Sequence, residues 1–341
     1  EMFLTIALFL ASPEKKEDRM AVVEKFYHQI AGRKISLATH ILINLLVPGG
    51  NLSTCFITAI DDSLDNIFYN ISAIAQISKN GGGVGVNLSR IRSSGGEIRS
   101  VPNASGGVIP WIKIVNDTAV AVNQLGKRSG AVTVALDVWH RDIEDFLELQ
   151  TENGDQRKKA YDLFPQIVIP DLFMERVKAD ADWTLLDPDE IRRIHQVELA
   201  ELWGEEFTRA YKQFETDSNL IQSKKVKARD VFKRAMKSQL ETGMPYMFFK
   251  DTVNAMNPNK HDGMIGSGNL CQESFSNFKP SKIIGEKLQD DTITREVEAG
   301  LIHTCNLVSL NLALLLERQD LAESCAMAVR ILDNTIELTV T

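Results

Sequence analysis

Four cysteines, at 55, 271, 305 and 325, form no CxxC pair and no dense disulfide framework. Asn269-Leu270-Cys271-Gln272-Glu273 follows a long polar loop from Asn254 to Gly268. Cys271 and Glu273 stand two apart, so on an extended segment they face the same way. A carboxylate raises the pKa of a neighbouring thiol, a poor arrangement for a thiolate nucleophile. A hydrolytic cysteine wants a histidine or another cation beside it. If the pair is catalytic, Cys271 is a hydrogen-atom or redox centre and Glu273 a separate base; the alternative is a buried structural cysteine. Cys55, in Ser53-Thr54-Cys55-Phe56, and Cys305, in Thr304-Cys305-Asn306-Leu307, lie in β-like runs. Two such cysteines could face each other across neighbouring strands as a redox dithiol. Cys325 belongs to a helical stretch with Ala322, Ala326 and Val329 and reads as core. The six histidines, at 28, 40, 140, 195, 261 and 303, make no HxxxH or HExxH pair, so no protein-bound metal site is expected.

Two glycine-rich segments are the other candidates. Gly81-Gly82-Gly83-Val84-Gly85 invites a phosphate-loop reading, but Leu88 occupies the third glycine position of GxGxxG. What remains is either a tight turn or the approach of a substrate to bare backbone. Arg90 and Arg92 follow at alternate positions, with Gly95-Gly96 beyond. In Asn123-Gln124-Leu125-Gly126-Lys127-Arg128-Ser129-Gly130 the likeness to a Walker loop is superficial, since Arg128 follows Lys127 and position 121 is Ala. Two adjacent cations flanked by glycines could hold phosphate or shift between conformations; a solvated turn is the plain alternative.

These segments must be carried by a scaffold. Residues 1 to 45 read as helical, over Met2 to Ala11 and Asp18 to Ala31, and Pro48-Gly49-Gly50 breaks the pattern. Then β-rich runs (Thr54 to Ile60, Val84 to Leu88, Ala131 to Leu136, Gln166 to Ile169, Met244 to Phe249, Leu301 to Ser309) alternate with helical ones (Asp62 to Ser78, Ile109 to Val122, Asp142 to Leu149, Ala228 to Thr242, Asp320 to Leu338). Such alternation predicts an α/β fold of parallel βαβ units, with ligands at the turns beyond the strands. Asp180 to Ser223 reads as an inserted helical excursion.

The chain has 341 residues, a formal net charge of -8, 44% hydrophobic and 25% charged residues. These are ordinary globular values, and the acidic balance argues against a nucleic-acid polymer as partner. Met2 to Ala11 is too short for a membrane helix of about 20 residues. It lacks the basic flank of a signal peptide and reads as a buried helix, so no membrane association and a cytoplasmic location are expected.

Eight ordered segments carry a family resemblance: Leu52-Ser53-Thr54-Cys55-Phe56, Asp61-Asp62-Ser63-Leu64-Asp65, Gly81 to Gly85, Arg90-Ile91-Arg92, Gly126 to Gly130, Val138-Trp139-His140, Asn269 to Glu273, and Cys305-Asn306-Leu307. Together they resemble the large, catalytic subunit of ribonucleotide reductases, in that family's order and with its approximate spacings. The resemblance implies part of a ten-stranded α/β barrel over residues 51–341, with a finger loop around 250–275, preceded by a helical region over 1–50. It implies that Cys271 forms a transient thiyl radical abstracting the 3′ hydrogen of a ribonucleotide. Glu273 would take the 3′-hydroxyl proton, Asn269 would hydrogen-bond the substrate hydroxyls, and Cys55 and Cys305 would be the reducing pair. Thr39, Thr54 and Gly83 match positions lining the substrate site, with Thr54 in place of the more usual Ser. Asp62, Lys79 and Arg92 match positions that bind an allosteric nucleotide (ATP or a dNTP), and Gln124 and Arg128 lie in the loop that relays its identity.

Asn-Leu-Cys-x-Glu looks like class I, in which a separate metal-containing small subunit generates the radical; class II enzymes use adenosylcobalamin and more often carry Pro before that Cys. No covalently bound cofactor is implied. The implied partners are that small subunit, a thioredoxin or glutaredoxin-type reductant and a second copy in a homodimer. With Glu at position 1 and ordered apolar sequence from Ile336 to Thr341, both ends look cut. The family's remaining strands, relay tyrosines, C-terminal cysteines and ATP-cone have no counterpart here. The expectation is therefore a split subunit completed by a second polypeptide, or a truncated product. A catalytically incomplete pseudo-subunit that only binds effectors is the alternative function, and the intact set of Cys55, Cys271, Glu273 and Cys305 favours the enzyme.

Overall fold

Runs dominated by apolar and β-branched residues become strands, and stretches with apolar residues three and four apart become helices. The computed structural model describes residues 1–123, 126, 129–289 and 291–339. Among them the strands are β1 (Ile35–Leu37), β2 (Cys55–Ala59), β3 (Gly83–Asn87), β4 (Val132–Asp137), β5 (Leu163–Ile169), β6 (Asp182–Leu185), β7 (Lys224–Lys227), β8 (Tyr246–Phe249), β9 (Lys282–Gln289), β10 (Thr292–Glu298), β11 (His303–Cys305) and β12 (Val308–Leu310). The chain divides into two compact units, one of Glu1–Phe56, Asn80–Gly82 and Thr304–Thr341, the other of Ile57–Lys79 and Gly83–His303.

In the second unit the order β2-β3-β4-β5-β8 builds a sheet in which β3–β4, β4–β5 and β5–β8 are parallel. Helix Val108–Ala121 makes the crossover from β3 to its parallel neighbour β4, and helix Leu64–Lys79 joins β2 to β3. Side chains alternate across each strand. Val84, Val86, Val132, Val134, Leu136, Ile167 and Ile169 face the helices and share a core with Ile67, Ile74, Ile112 and Val115. Gly83, Gly85, Asn87, Thr133, Ala135, Gln166 and Val168 therefore occupy the opposite face. Ala135, Val168 and Phe248 there pack with Ile265.

The inserted excursion differs from its helical reading. It contains helices Pro188–His195 and Gly204–Phe214, but β6 and β7 pair antiparallel around them, with Asp182 opposite Lys227. Lys224-Lys225-Val226-Lys227 has too little apolar alternation to announce a strand, and Trp183 supplies the missing burial. Its ring stacks on Tyr211 with centroids 4.2 Å apart, and its Nε1 donates to Val138 O at 3.2 Å. The run Leu301 to Ser309 splits into β11 and β12, and a hairpin of β9 and β10 precedes it.

In the first unit, helices Met2–Leu10 and Arg19–Ala31 bury Ile6, Ala7, Leu10, Val22, Val23, Phe26 and Ile30 against Met327, Ala328 and Ile331 of helix Leu321–Thr339. Met2, Leu4 and Leu8 stay exposed, so the first helix buries one face rather than all of its surface. β1 pairs antiparallel with β12. The core reading of Cys325 is corrected: the inward stripe is Ser324, Met327, Ala328 and Ile331, while Cys325 is half-buried and Ala322, Ala326 and Val329 are exposed. A helix with small residues on two faces has two plausible stripes, and a buried hydrogen bond from Ser324 Oγ to Gln29 Oε1 at 2.7 Å accompanies the other one.

Glu14, in the turn between the first two helices, ties that turn to the last helix. Arg330 donates to its carboxylate through Nε and Nη2 at 2.6 and 2.5 Å, and Asn334 Nδ2 donates to it at 2.9 Å. The Arg330 hydrogen bonds, aided by Asn334 and opposed by partial burial, hold this carboxyl below its usual range. A lowered folded-state pKa contributes stability that is complete above the ordinary carboxylate range and lost as the pH falls through the lowered value. Glu14→Gln should therefore lower the urea midpoint at neutral pH, by roughly 1 kcal/mol for a pair whose cation is partly exposed. The gap should close as the pH falls below the ordinary carboxylate range; an unchanged gap in urea melts across that fall would overturn this.

Candidate active site

The segment from Gly263 to Phe275 lies against the face of the sheet that the helices leave open. Two glycines of β3 permit it. A Cβ at Gly83 would collide with the Leu270 side chain, and one at Gly85 with the Gly268 carbonyl oxygen, with Asn269 C only 3.1 Å away. Backbone brought this close to a sheet loses water, so its polar groups need partners. Asn254 exchanges two hydrogen bonds with Ile265, donating to its O at 2.9 Å and accepting from its N at 2.8 Å. Asn87 Nδ2 donates to Gly266 O at 3.0 Å, and Thr133 Oγ1 to Leu270 O at 2.6 Å.

Asn269, fully buried, closes the tip: its Oδ1 accepts from Glu273 N at 3.1 Å and Ser274 N at 3.2 Å, and its own N donates to Ser274 O at 3.2 Å. Cys271 and Glu273 are exposed. The extended-segment argument for their common direction is corrected, because Gln272 between them has φ 66° and residues 270–273 form a turn and bend. Burial, then the nearby Cys271 and Glu273, push the Tyr246 hydroxyl pKa up. Ser274 Oγ lies 3.4 Å from His303 Nε2, and burial moves the pKa of that imidazole down, toward the neutral form.

Helix Lys250–Ala255, which carries Asn254, is fixed by a buried pair. Lys250 Nζ lies 3.4 Å from Asp137 Oδ1 and donates to Ala200 O at 2.8 Å. Burial pushes the Asp137 carboxyl above the usual range against the pull of Lys250. A cavity of about 320 Å³ at the base of the segment is lined by Asn87, Arg90, Trp203, Lys260 and Phe278 among others.

In the first unit, Thr54 joins the start of β2 to the end of β11. Its N and Oγ1 donate to Cys305 O at 2.9 and 2.8 Å, and Oγ1 lies 3.4 Å from Cys305 Sγ. Cys55 and Cys305 are 4% and 8% exposed, so both thiols sit where bulk water is scarce. Thr39 is exposed at the first position of helix Thr39–Asn44, and the neighbouring His40 Nε2 contacts Gly81 O.

Asp62 and Arg92 are in contact, Arg92 Nε donating to Asp62 Oδ2 at 2.9 Å. Sequence reading missed their company. Arg192 Nη2 donates to the same Oδ2 at 3.0 Å, and Arg92 also lies 3.5 Å from Asp189. Burial raises the Asp62 pKa, with Arg92 and Arg192 opposing. Lys79 is exposed at the end of its helix. Gln124, Lys127 and Arg128 lie outside the described residues. Also missed were Thr133, Gln166 and Gln272, although a lone polar residue inside the apolar run Leu163–Ile169 was a visible signal. Among the described residues no group of three or more His, Cys, Asp or Glu is placed to hold a metal ion, and no helix is long and apolar enough to cross a membrane.

Residues 1–50 match the family model described as ribonucleotide reductase, all-alpha domain, and residues 53–341 the one described as ribonucleotide reductase, barrel domain. A ribonucleoside-diphosphate reductase subunit alpha of Synechocystis sp. is 56% identical over 341 residues, 99% of this chain and 42% of that protein. The subunit alpha of Treponema pallidum is 40% identical, over 99% of this chain and 41% of its own length. A ribonucleoside-diphosphate reductase large chain of Cryptosporidium parvum is 38% identical over 72% of this chain and 30% of its own. The chain thus spans about two fifths of the first two relatives' length.

Gly85→Ala tests the close approach directly. The Gly268 carbonyl has no flexible side chain to yield, so the segment must lift or β3 must shift. The expected cost is about 1–3 kcal/mol of stability, read by urea unfolding, with faster amide exchange at Gly268 to Ser274. Unchanged stability and exchange would show that the segment is not held by this contact.

Proposed function

The chain belongs to the ribonucleotide reductase family, and from that premise we propose that the protein containing it reduces ribonucleoside diphosphates to deoxyribonucleotides through a thiyl radical on Cys271. The observation that carries this reading is the tip of the buried segment, where a closed turn exposes Cys271 and Glu273 while its backbone is paired to the sheet.

On this reading a partner small subunit removes one electron from Cys271, whose proton leaves with it. The Cys271 thiyl takes the 3′ hydrogen atom, becoming a thiol and leaving a carbon radical. Glu273 accepts the 3′-hydroxyl proton while Cys55 protonates the 2′-hydroxyl, which departs as water. Cys55 and Cys305 supply two electrons and end as a disulfide, the hydrogen of Cys305 passing to the 2′ carbon while Glu273 returns its proton to the 3′ oxygen. Cys271 returns its hydrogen atom to the 3′ carbon, restoring the thiyl, and an external dithiol of the thioredoxin or glutaredoxin type reduces the disulfide. Atoms and electrons balance as ribonucleotide plus dithiol giving deoxyribonucleotide, disulfide and water. Asn269 would orient the substrate hydroxyls, and Thr39, Thr54 and Gly83 would line its site. Both members of the proposed reducing pair are buried.

Asp62, Lys79 and Arg92, with Gln124 and Arg128, form the proposed site for an effector nucleotide. The Asp62–Arg92–Arg192 network gives that site a fixed acceptor and donor set. We further propose residues 1–50 as a helical region and 51–341 as part of the barrel, a homodimer of the whole subunit, and a cytoplasmic location.

The test uses the full-length subunit with its radical-generating partner, a dithiol and a labelled ribonucleoside diphosphate. Cys271→Ser should lower turnover by more than about a thousandfold, as loss of a covalently acting group does. Cys55→Ser and Cys305→Ser should each stop dithiol-dependent turnover, with the fold retained by circular dichroism. A Cys271→Ser subunit that still reduces its substrate would sink the proposal. Effector binding without turnover in the fully supplied wild type would support the pseudo-subunit instead.

A further inference from the structure

Gln166 stands at a fully buried position on β5, on the face turned toward the tip segment, in register with Ala135 of β4 and Tyr246 of β8. Its Nε2 donates to Gln272 Oε1, while its own Oε1 finds no partner among the described residues. Gln272 Nε2 in turn donates to Asn269 O at 2.7 Å. That bond commits the nitrogen of the Gln272 amide and leaves its oxygen as the face offered to β5. An apolar side chain at 166 would fill the same space without an orphaned acceptor, so stability alone does not call for an amide there.

We infer that Gln166 is a positioning residue for Cys271: its amide latches Gln272 to the wall of the sheet and so fixes the turn that carries Cys271 and Glu273. The direction follows from the backbone. Gln272 sits between those two residues with φ 66°, a conformation that an L side chain adopts only at a cost. Anchoring its side chain to both β5 and Asn269 O offsets that cost and holds the turn. Without the anchor, Gln272 can relax toward negative φ, which re-aims the residues on either side. The inference rests on the proposed role of Cys271, but the latch itself can be observed without activity.

The experiment compares Gln166→Leu, Gln272→Leu and the double variant in the full-length subunit supplied with its small-subunit partner. Gln166→Leu should raise amide exchange at residues 268–275 about tenfold, the worth of one lost hydrogen bond, and Gln272→Leu, which also loses the bond to Asn269 O, by at least as much. Each single change should lower kcat about tenfold while leaving KM within about twofold, because the latch acts on the chemical step. Gln166→Leu should leave the unfolding midpoint unchanged or higher, which a purely structural glutamine would not do. The double variant should lose no more than the worse single, as two partners of one interaction do. Additive losses, unchanged exchange, or a kcat loss that merely follows a lowered midpoint would each overturn the latch. Gln272→Leu, at a half-buried turn, keeps the test decisive if Gln166→Leu fails to fold. If the wild type reduces no ribonucleotide, the functional reading fails, while exchange at 268–275 still decides the latch.

Discussion

The second unit is organised around one steric fact: β3 carries no side chain at Gly83 or Gly85 on the face where Gly268 to Leu270 passes. A folded segment can lie directly on a sheet only where the sheet is bare. Once it does, every peptide group it buries must find a partner, since an unpaired one costs about 1–3 kcal/mol. The neighbouring strands supply those partners at alternate positions, Asn87 on β3 and Thr133 on β4, while Ala135, Val168 and Phe248 receive Ile265. The strand alternation that packs valines and isoleucines against the helices is thus the same alternation that sets polar groups under the segment. A one-residue slip of β4 would exchange Thr133 for Val132 and leave the Leu270 carbonyl unpaired.

Fixed charge holds the approach to this segment from the other side. Bringing Lys250 and Asp137 out of water costs several kcal/mol per ion, which their mutual attraction only partly offsets. The pair is therefore a poor way to gain stability and a good way to define one position for helix Lys250–Ala255, whose Asn254 grips both backbone groups of Ile265. Exposed pairs such as Lys287–Glu296 on the β9–β10 hairpin are screened by solvent and define little. The Asp62 network lies between these extremes. Three arginines and four carboxylates, from Asp61 and Asp62, the stretch after β3 and the excursion, are partly buried together, so its members constrain one another more than any single pair would.

Much of this was legible in the sequence wherever a local pattern and the tertiary environment agree. Val132, Val134 and Leu136 mark β4, and the helix Ala228–Thr242 follows from its own periodicity. Reading Thr54 to Ile60 and Leu301 to Ser309 as β-like runs locates the two segments that meet where Thr54 bonds Cys305, but not the pairing itself. The misses share a cause. β7 is three lysines and a valine, a strand only because β6 and Trp183 give it something to cover. Cys325 lies on the wrong side of a helix whose two faces differ little in hydrophobicity, and a buried Ser324–Gln29 contact, invisible in one-dimensional sequence, accompanies the true inward stripe. The turn at Gln272 depends on φ 66° at a residue that is neither Gly nor Asn, for which no local signal exists. Gln166 was different, since a single amide inside an apolar strand is visible and asks for a partner.

The surroundings of Cys271 bear on which chemistry its thiol can do. A thiolate nucleophile needs positive charge or a general base nearby. The imidazole of His303 reaches the tip through Ser274, and burial moves its pKa down, toward the neutral form, so it brings no cation. Glu273 is a carboxyl group rather than a cation, and burial, then the nearby Cys271 and Glu273, push the Tyr246 hydroxyl toward keeping its proton. None of these three groups places a cation beside the thiol. A hydrolytic cysteine would want such a cation, whereas the exchange of a whole hydrogen atom proposed for Cys271 would need none, because that exchange consumes and restores a neutral S–H. On the proposed reading Glu273 would accept the proton that leaves the substrate, so the two functions would not compete for one group.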